Sequence, residues 1–121
     1  MPDQTFNNTL LKRFNAQSIE RLQLKSVQFA VRQPIEEIGE PIANLYFLEE
    51  GMASMTVTFE NGRQVEVGMF GFESVIGASA LMGTKHSLNR IYTQVAGWGY
   101  ACKLERAQEE FKKSAGRSAP L

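Results

Sequence analysis

The chain has 121 residues, 43% of them apolar and 21% charged, with 13 basic side chains balanced by 13 acidic ones. That length suits one domain with a core able to fold unaided, and the composition excludes a wholly disordered, collagen-like or coiled-coil polymer. A net charge of zero leaves no basic footprint for a phosphate backbone or an anionic bilayer, so this sequence by itself is not expected to bind DNA well.

At the N-terminus, Met1 to Arg13 lacks the apolar stretch of a secretory signal, and Cys102 has no partner for an intrachain disulfide. No apolar run approaches the roughly 20 residues needed to span a membrane. A soluble protein of the reducing cytoplasm is expected. Phe6, Leu10, Leu11 and Phe14 recur at helical spacing, and Ile19, Leu22 and Leu24 follow Asn15, a good N-cap, so two short helices are predicted over about residues 6–24.

From Ser26 to Val67 the period changes to short β-rich stretches, separated by turn residues at Arg32 to Pro34, Gly39 to Pro41, Glu49 to Gly51 and Glu60 to Gly62. Such spacing implies a sandwich or barrel. The clearest hairpin joins Ala53 to Phe59 with Arg63 to Met69. A two-residue Asn61-Gly62 turn would mix apolar and polar side chains on one face. A three-residue loop, Glu60 to Gly62 with Gly62 left-handed, instead sets Val57 opposite Val65 and Met55 opposite Val67, and is preferred.

The glycine-punctuated stretch from Gly68 to Gly77 cannot be a simple strand, and a short helical turn is predicted from about Glu73, with its first amides free for something negative. Leu88 to Leu104 returns to strand character around a Gly97-Trp98-Gly99 interruption. Glu105 to Ser114 reads as a helix with Ala107 and Phe111 on one face, a Glu109/Lys113 pair, and Gly116 as its end. Ser114 to Pro120 reads as a linker or the start of a truncated element. Met52, Met55, Met69 and Met82 are expected to fill irregular core space, and Trp98 to anchor the core.

Catalytic chemistry has little to stand on. A metal enzyme on such a scaffold needs two or three imidazoles, and His86 is the only histidine; it is expected on an exposed loop. One cysteine excludes an iron-sulfur cluster within one chain. Haem ligation stays open only through His86 or Cys102, and Cys102 is expected to be a small buried hydrophobe. No nucleophile elbow surrounds His86. The adjacent acids Glu36/Glu37, Glu49/Glu50 and Glu109/Glu110 point apart in a strand and share no site in a helix, so they are expected on solvated surface. The best candidate site joins Gly71, Glu73 and Ser74 with Asn89 and Arg90: free amides beside a guanidinium suit a phosphate or carboxylate, and Glu73 suits a ribose hydroxyl. Glu73 as a helix cap and Arg90 as its ion-pair partner is the plainer reading.

Gly39-Glu40-Pro41, Leu45 to Gly51, Asn61-Gly62-Arg63, Val65 to Gly68 and Gly71 to Gly77, taken in order, resemble the effector domain of Crp/Fnr-family transcription regulators from about Asn8 to Phe111. The resemblance implies a mainly β fold: an eight-stranded antiparallel β-roll of the jelly-roll, cyclic-nucleotide-binding type over about residues 26–104. Short flanking helices and a pocket inside the roll complete it. It makes residues 1–121 a single sensor domain.

In nucleotide-binding members the phosphate-binding cassette opens with Gly-Glu and closes with Arg-Ser-Ala or Arg-Thr-Ala. Here Phe72 separates Gly71 from Glu73. Strand alternation with Ile91, Thr93 and Val95 inward puts Asn89 in the place of the phosphate-binding arginine and turns Arg90 to the other face. Cyclic AMP binding is therefore expected to be weak or absent. No cofactor beyond a doubtful cyclic nucleotide is expected, and the effector is an unknown small molecule. The resemblance also implies a dimeric parent that contacts DNA through a helix-turn-helix domain absent from this sequence, with no membrane partner. Two rival readings are a small cupin-like β-sandwich enzyme, and a ligand-free interaction module that dimerises through the last helix with Phe111 exposed.

Overall fold

A computed structural model describes residues 5–118, with side chains described for residues 5–113. The first predicted helix is only a 3-10 turn, Leu11–Arg13. The buried Asn8 side chain caps it, its Oδ1 accepting from the amides of Leu10 at 3.0 Å and Leu11 at 3.2 Å. The second is α1 (Ala16–Leu22), which opens as expected at Asn15, whose side chain accepts from the Ser18 amide at 2.8 Å. It stops before Leu24 because Gln23 is left-handed, with φ 51°.

Six antiparallel strands follow: β1 (Lys25–Phe29), β2 (Pro34–Glu36), β3 (Asn44–Thr58), β4 (Gln64–Phe70), β5 (Val75–Ile76) and β6 (Arg90–Lys103). Their order is β1-β6-β3-β4, with β2 added to β6 and β5 to β3. The architecture is the expected β-roll, but the described residues form six strands rather than eight, because the long β3 and β6 each run unbroken through a place where a turn was expected.

Glu49–Gly51 is not a turn. The chain stays extended through it, Gly51 takes φ 97°, and the β3–β6 register shifts between Leu48 and Ala53. The Gly97-Trp98-Gly99 interruption is likewise part of β6. Its glycines lie against the β3 backbone, where a Cβ on Gly97 would overlap the Glu50 carbonyl and one on Gly99 the Phe47 carbonyl.

The β3–β4 hairpin has the preferred loop. The Phe59 amide donates to Arg63 O at 2.8 Å, the Gly62 amide to Phe59 O at 2.9 Å, and Gly62 is left-handed at φ 84°. Val57 faces Val65 as expected, but a bulge then makes Val67 the extra residue and sets Met55 opposite Gly68. The Met55 ε-methyl lies 3.4 Å from where a Gly68 Cβ would be, so the bulge brings the long side chain over the residue that has none.

Two apolar clusters divide the core. Phe6, Leu11, Leu22, Leu45, Phe47, Cys102 and Ala107 fill the space between the helices and one end of β3 and β6. Phe29, Leu48, Ala53, Ile76 and Ile91 fill the roll. Leu11, Leu22, Leu45 and Phe47 are fully buried, and each contributes roughly 1.5–3 kcal/mol by leaving water.

The last helix, α2 (Leu104–Ser118), continues past Gly116, a position that weakens a helix by about 1 kcal/mol relative to alanine without ending it. The expected linker from Ser114 is therefore helical as far as Ser118, and Pro120 lies outside the described residues. Lys113 pairs with Glu110 at 3.6 Å, not with Glu109. Phe111, expected to be exposed, is half-buried, edge-on to Phe14 with centroids 5.3 Å apart. Of the four methionines expected in the core only Met55 packs into it, while Met52, Met69 and Met82 are exposed, Met82 at 90%. Trp98 is half-buried, edge-on to Tyr100 at 5.3 Å.

Candidate functional site

Gly71, Glu73 and Ser74 form a turn between β4 and β5, closed by a bond from the Ser74 amide to Gly71 O at 3.1 Å. No helix begins at Glu73; the chain passes into β5, and the helical turn starts after Gly77, as the 3-10 segment Ala78–Met82. Steric contact places it there. Gly77 has φ 101°, and a Cβ on it would come within 2.9 Å of Asn44 O, so only glycine admits both the left-handed entry and the close approach. The 3-10 segment has no acidic residue in its first turn. The Glu73 side chain is exposed and its carboxylate lies over buried Gly71. The turn is tied instead to the N-terminal segment: Thr9 donates to Phe72 O at 2.8 Å, and Asn8 Nδ2 to Ser74 O at 2.9 Å.

Asn89 and Arg90 stand elsewhere. Residues 85–87 run against residues 39–42, joined by Ile42 N to Lys85 O at 3.0 Å, Gly39 N to Ser87 O at 2.8 Å and Ser87 N to Glu40 O at 2.9 Å. His86 is exposed on that strip. Ser87 is buried, its hydroxyl 2.7 Å from both Glu36 Oε1 and Asn89 O. Arg90 is the first residue of β6 and faces Thr56, and its Nε lies 3.5 Å from Glu37 Oε1. Ile91 and Thr93 point into the roll, but Val95 is 50% exposed, because the ladder shifts register just before it. Asn89, half-buried, precedes the strand. Among the described residues no hydrogen bond or ion pair joins the Gly71–Ser74 turn to Asn89 or Arg90.

A cavity of about 210 Å³ lies between β2, the segment before β3 and the 85–87 strip, and Ile35, Glu36, Glu37, Glu40, Tyr46 and Ser87 are among the residues that line it. Three glutamates and no basic residue are among those that line it. Sequence reading placed Glu36 and Glu37 on solvated surface; the acid-rich stretch between Pro34 and Pro41 was the only local signal, and the crossing of Ser87 over it is long-range.

Two acids expected on solvated surface are buried. Glu49 is 3% exposed, and its two carboxylate oxygens accept from the amides of Asn7 and Asn8, each at 2.8 Å. Glu110 is 3% exposed and receives two bonds from Arg21, whose Nε–H and Nη2–H hold its carboxyl below the ordinary range. In both pairs one neighbour turns inward and the other, Glu50 or Glu109, outward. Cys102 is buried, its Sγ 3.4 Å from Leu22 O, and burial pushes its thiol up to about 11. Among the described residues no three His, Cys, Asp or Glu side chains converge as a metal site would require, and no helix is long and apolar enough to cross a membrane.

No protein-family model and no curated protein matches the sequence. Solved structures do match its fold. The sensor domain of the transcriptional regulator DNR from Pseudomonas aeruginosa superposes with a TM-score of 0.76 at 11% identity, over 88% of this chain and 73% of that one. The c-di-GMP-responsive global regulator CLP from Xanthomonas campestris gives 0.70 at 23% identity, over 88% of this chain and 53% of that one. A mutant regulatory subunit of a cAMP-independent protein kinase A from Trypanosoma brucei, with cAMP bound in its A site, gives 0.74 at 17% identity, over 95% of this chain and 44% of that one. The chain thus spans about half the length of CLP. The fold is the β-roll shared by regulator sensor domains and cyclic-nucleotide-binding domains.

Proposed function

We propose that the chain is the effector-sensing domain of a cytoplasmic Crp/Fnr-type transcription regulator whose cyclic-nucleotide cassette is disabled. The observation that carries this reading is the placement of Arg90: in a roll matched by regulator sensor domains, its guanidinium is paired with Glu37. The acid meant for a ribose, Glu73, is exposed on a turn tied to the N-terminus. The glycine that opens the 3-10 segment, Gly77, is followed by Ala78. Loss of a charge-assisted phosphate contact removes about 1.5–3 kcal/mol, one to two decades of affinity.

In the dimeric parent, an effector that prefers one conformation shifts the population competent for DNA, and a helix-turn-helix domain makes the DNA contacts. No catalytic role is assigned. The cupin-like alternative needs a metal held by His86 and carboxylates; His86 is exposed, and among the described residues no three His, Cys, Asp or Glu side chains are grouped to hold one. Titration calorimetry with cAMP, cGMP and c-di-GMP tests the reading: no saturable heat is expected at micromolar ligand, and low-micromolar binding of any of the three overturns the disabled cassette.

A further inference from the structure

We propose that the free edge of β4 pairs antiparallel with the β4 of a second copy of this chain. β4 ends its side of the sheet. It is bonded to β3 along one edge, and among the described residues no backbone hydrogen bond leaves the other. Such an edge presents a row of amides and carbonyls that another strand satisfies. The pairing is distinct from dimerisation through the last helix and does not depend on the sensor reading.

Edge strands are commonly guarded by a lysine, a proline or a charge set along the edge. The seven residues of β4 include neither lysine nor proline. Their only charge is Glu66, and its Oε1 accepts from the Ser54 hydroxyl at 2.8 Å, which turns the carboxylate back towards β3. The bulge leaves Val67 without a partner on β3. Val67 and Met69 are 50% and 43% exposed, so apolar side chains stand beside the open backbone.

Charge selects the occupant. Arg63 stands just before the strand and Glu73 just after it; both are exposed, and among the described residues neither makes an ion pair. Two copies aligned antiparallel about the middle of β4 bring Arg63 of each beside the Gly71–Glu73 turn of the other, where the Glu73 carboxylate lies over Gly71. The same favourable contact is then made twice, whereas a parallel alignment sets like beside like. The bulge increases the local twist and keeps the ladder short. A seven-residue strand falls below the roughly 800 Å² per partner of a standard interface, so a weak dimer is expected, with a dissociation constant above about 10 μM.

Sedimentation velocity and amide-resolved NMR of the whole chain, from about 20 μM to about 1 mM, bracket such an affinity. A dimer is expected at the top of the range, with concentration-dependent shifts at the amides of Gln64 to Met69 and of Glu73. Mixed labelled and unlabelled chains are expected to show contacts between the two β4 strands. Val67→Lys is expected to weaken the dimer at least tenfold. Arg63→Glu and Glu73→Arg are each expected to weaken it at least threefold, and the double variant to restore it. A monomer throughout, a dimer whose shifts fall on α2, or a double variant no tighter than the single ones overturns the pairing. The wild-type map decides it even if Val67→Lys fails to fold, and the cyclic-nucleotide titrations decide the disabled cassette separately.

Discussion

Arg21 and Glu110, 89 residues apart in sequence, meet in a two-pronged ion pair, Arg21 Nε donating to Glu110 Oε2 at 2.8 Å and Nη2 to Oε1 at 3.1 Å. The pair joins α1 to α2. One partner is 41% exposed and the other only 2%, so the carboxylate depends on the guanidinium far more than the reverse.

Acid should therefore weaken the helix pair. The Arg21 hydrogen bonds hold Glu110 below its ordinary value against the opposing effect of burial. A depressed carboxyl contributes stability that is complete above the ordinary value of about 4.3 and is lost as pH falls through the depressed one. Denaturation midpoints measured from pH 6 to pH 3 are expected to fall, and to fall less steeply in Glu110→Gln. At pH 7, Arg21→Ala is expected to be the more damaging change, because it strands a buried charge. Equal acid slopes in wild type and Glu110→Gln would contradict the coupling.

Cys102 gives the alkaline counterpart. Its thiol is raised to about 11, first by burial, against an ordinary value of 9.0. A raised group contributes stability that is intact below the unfolded value and is lost as pH climbs through the folded one, so the loss falls between about pH 9 and pH 11. Cys102→Ala should flatten that limb of the stability profile. In the folded protein at pH 8 a thiol reagent is expected to react only at the rate of global opening, and fast reaction would show the side chain to be accessible.

Substitution at Gly97 tests the close approach of β6 to β3. Its Cβ has no room beside the Glu50 carbonyl, so Gly97→Ala must push two backbones apart and is expected to destabilise by about 1–3 kcal/mol or more. Gly68→Ala is the control: the added Cβ meets only the flexible Met55 tip, and a change below about 1 kcal/mol is expected in urea denaturation.

Asn8 is fully buried and ties three segments together, donating to Leu48 O and Ser74 O, each at 2.9 Å, while capping Leu10 and Leu11. Asn8→Ala leaves these groups unpaired and is expected to cost on the order of 2–4 kcal/mol. It should also raise amide exchange across the Gly71–Ser74 turn and at Leu10 and Leu11. Loss of stability with unchanged exchange at those amides would argue against the tie.

Sequence alone determined the elements whose causes are local. The Asn15 cap, the three-residue loop with Gly62 left-handed, the strand character of β6 and the burial of Cys102 all follow from one side chain or one period, and the order of the glycine-centred segments pointed to the β-roll itself. Tertiary structure decided the rest. Gly51, Gly97 and Gly99 read as turn signals, yet in all three the backbone of the other long strand, from Val95 for Gly51, Glu50 for Gly97 and Phe47 for Gly99, lies where a Cβ would be. The helical turn moved from Glu73 to Ala78 because Gly77 packs on Asn44. Glu49 and Glu110 are buried because amides and a guanidinium from distant segments meet them. The same is true of the candidate site: residues 34–46 and Ser87 face one space, while the Gly71–Ser74 turn is tied to the N-terminal segment. Periodicity assigns a side chain to a face, but which donor or carbonyl waits on that face is set by contacts between segments far apart in the chain.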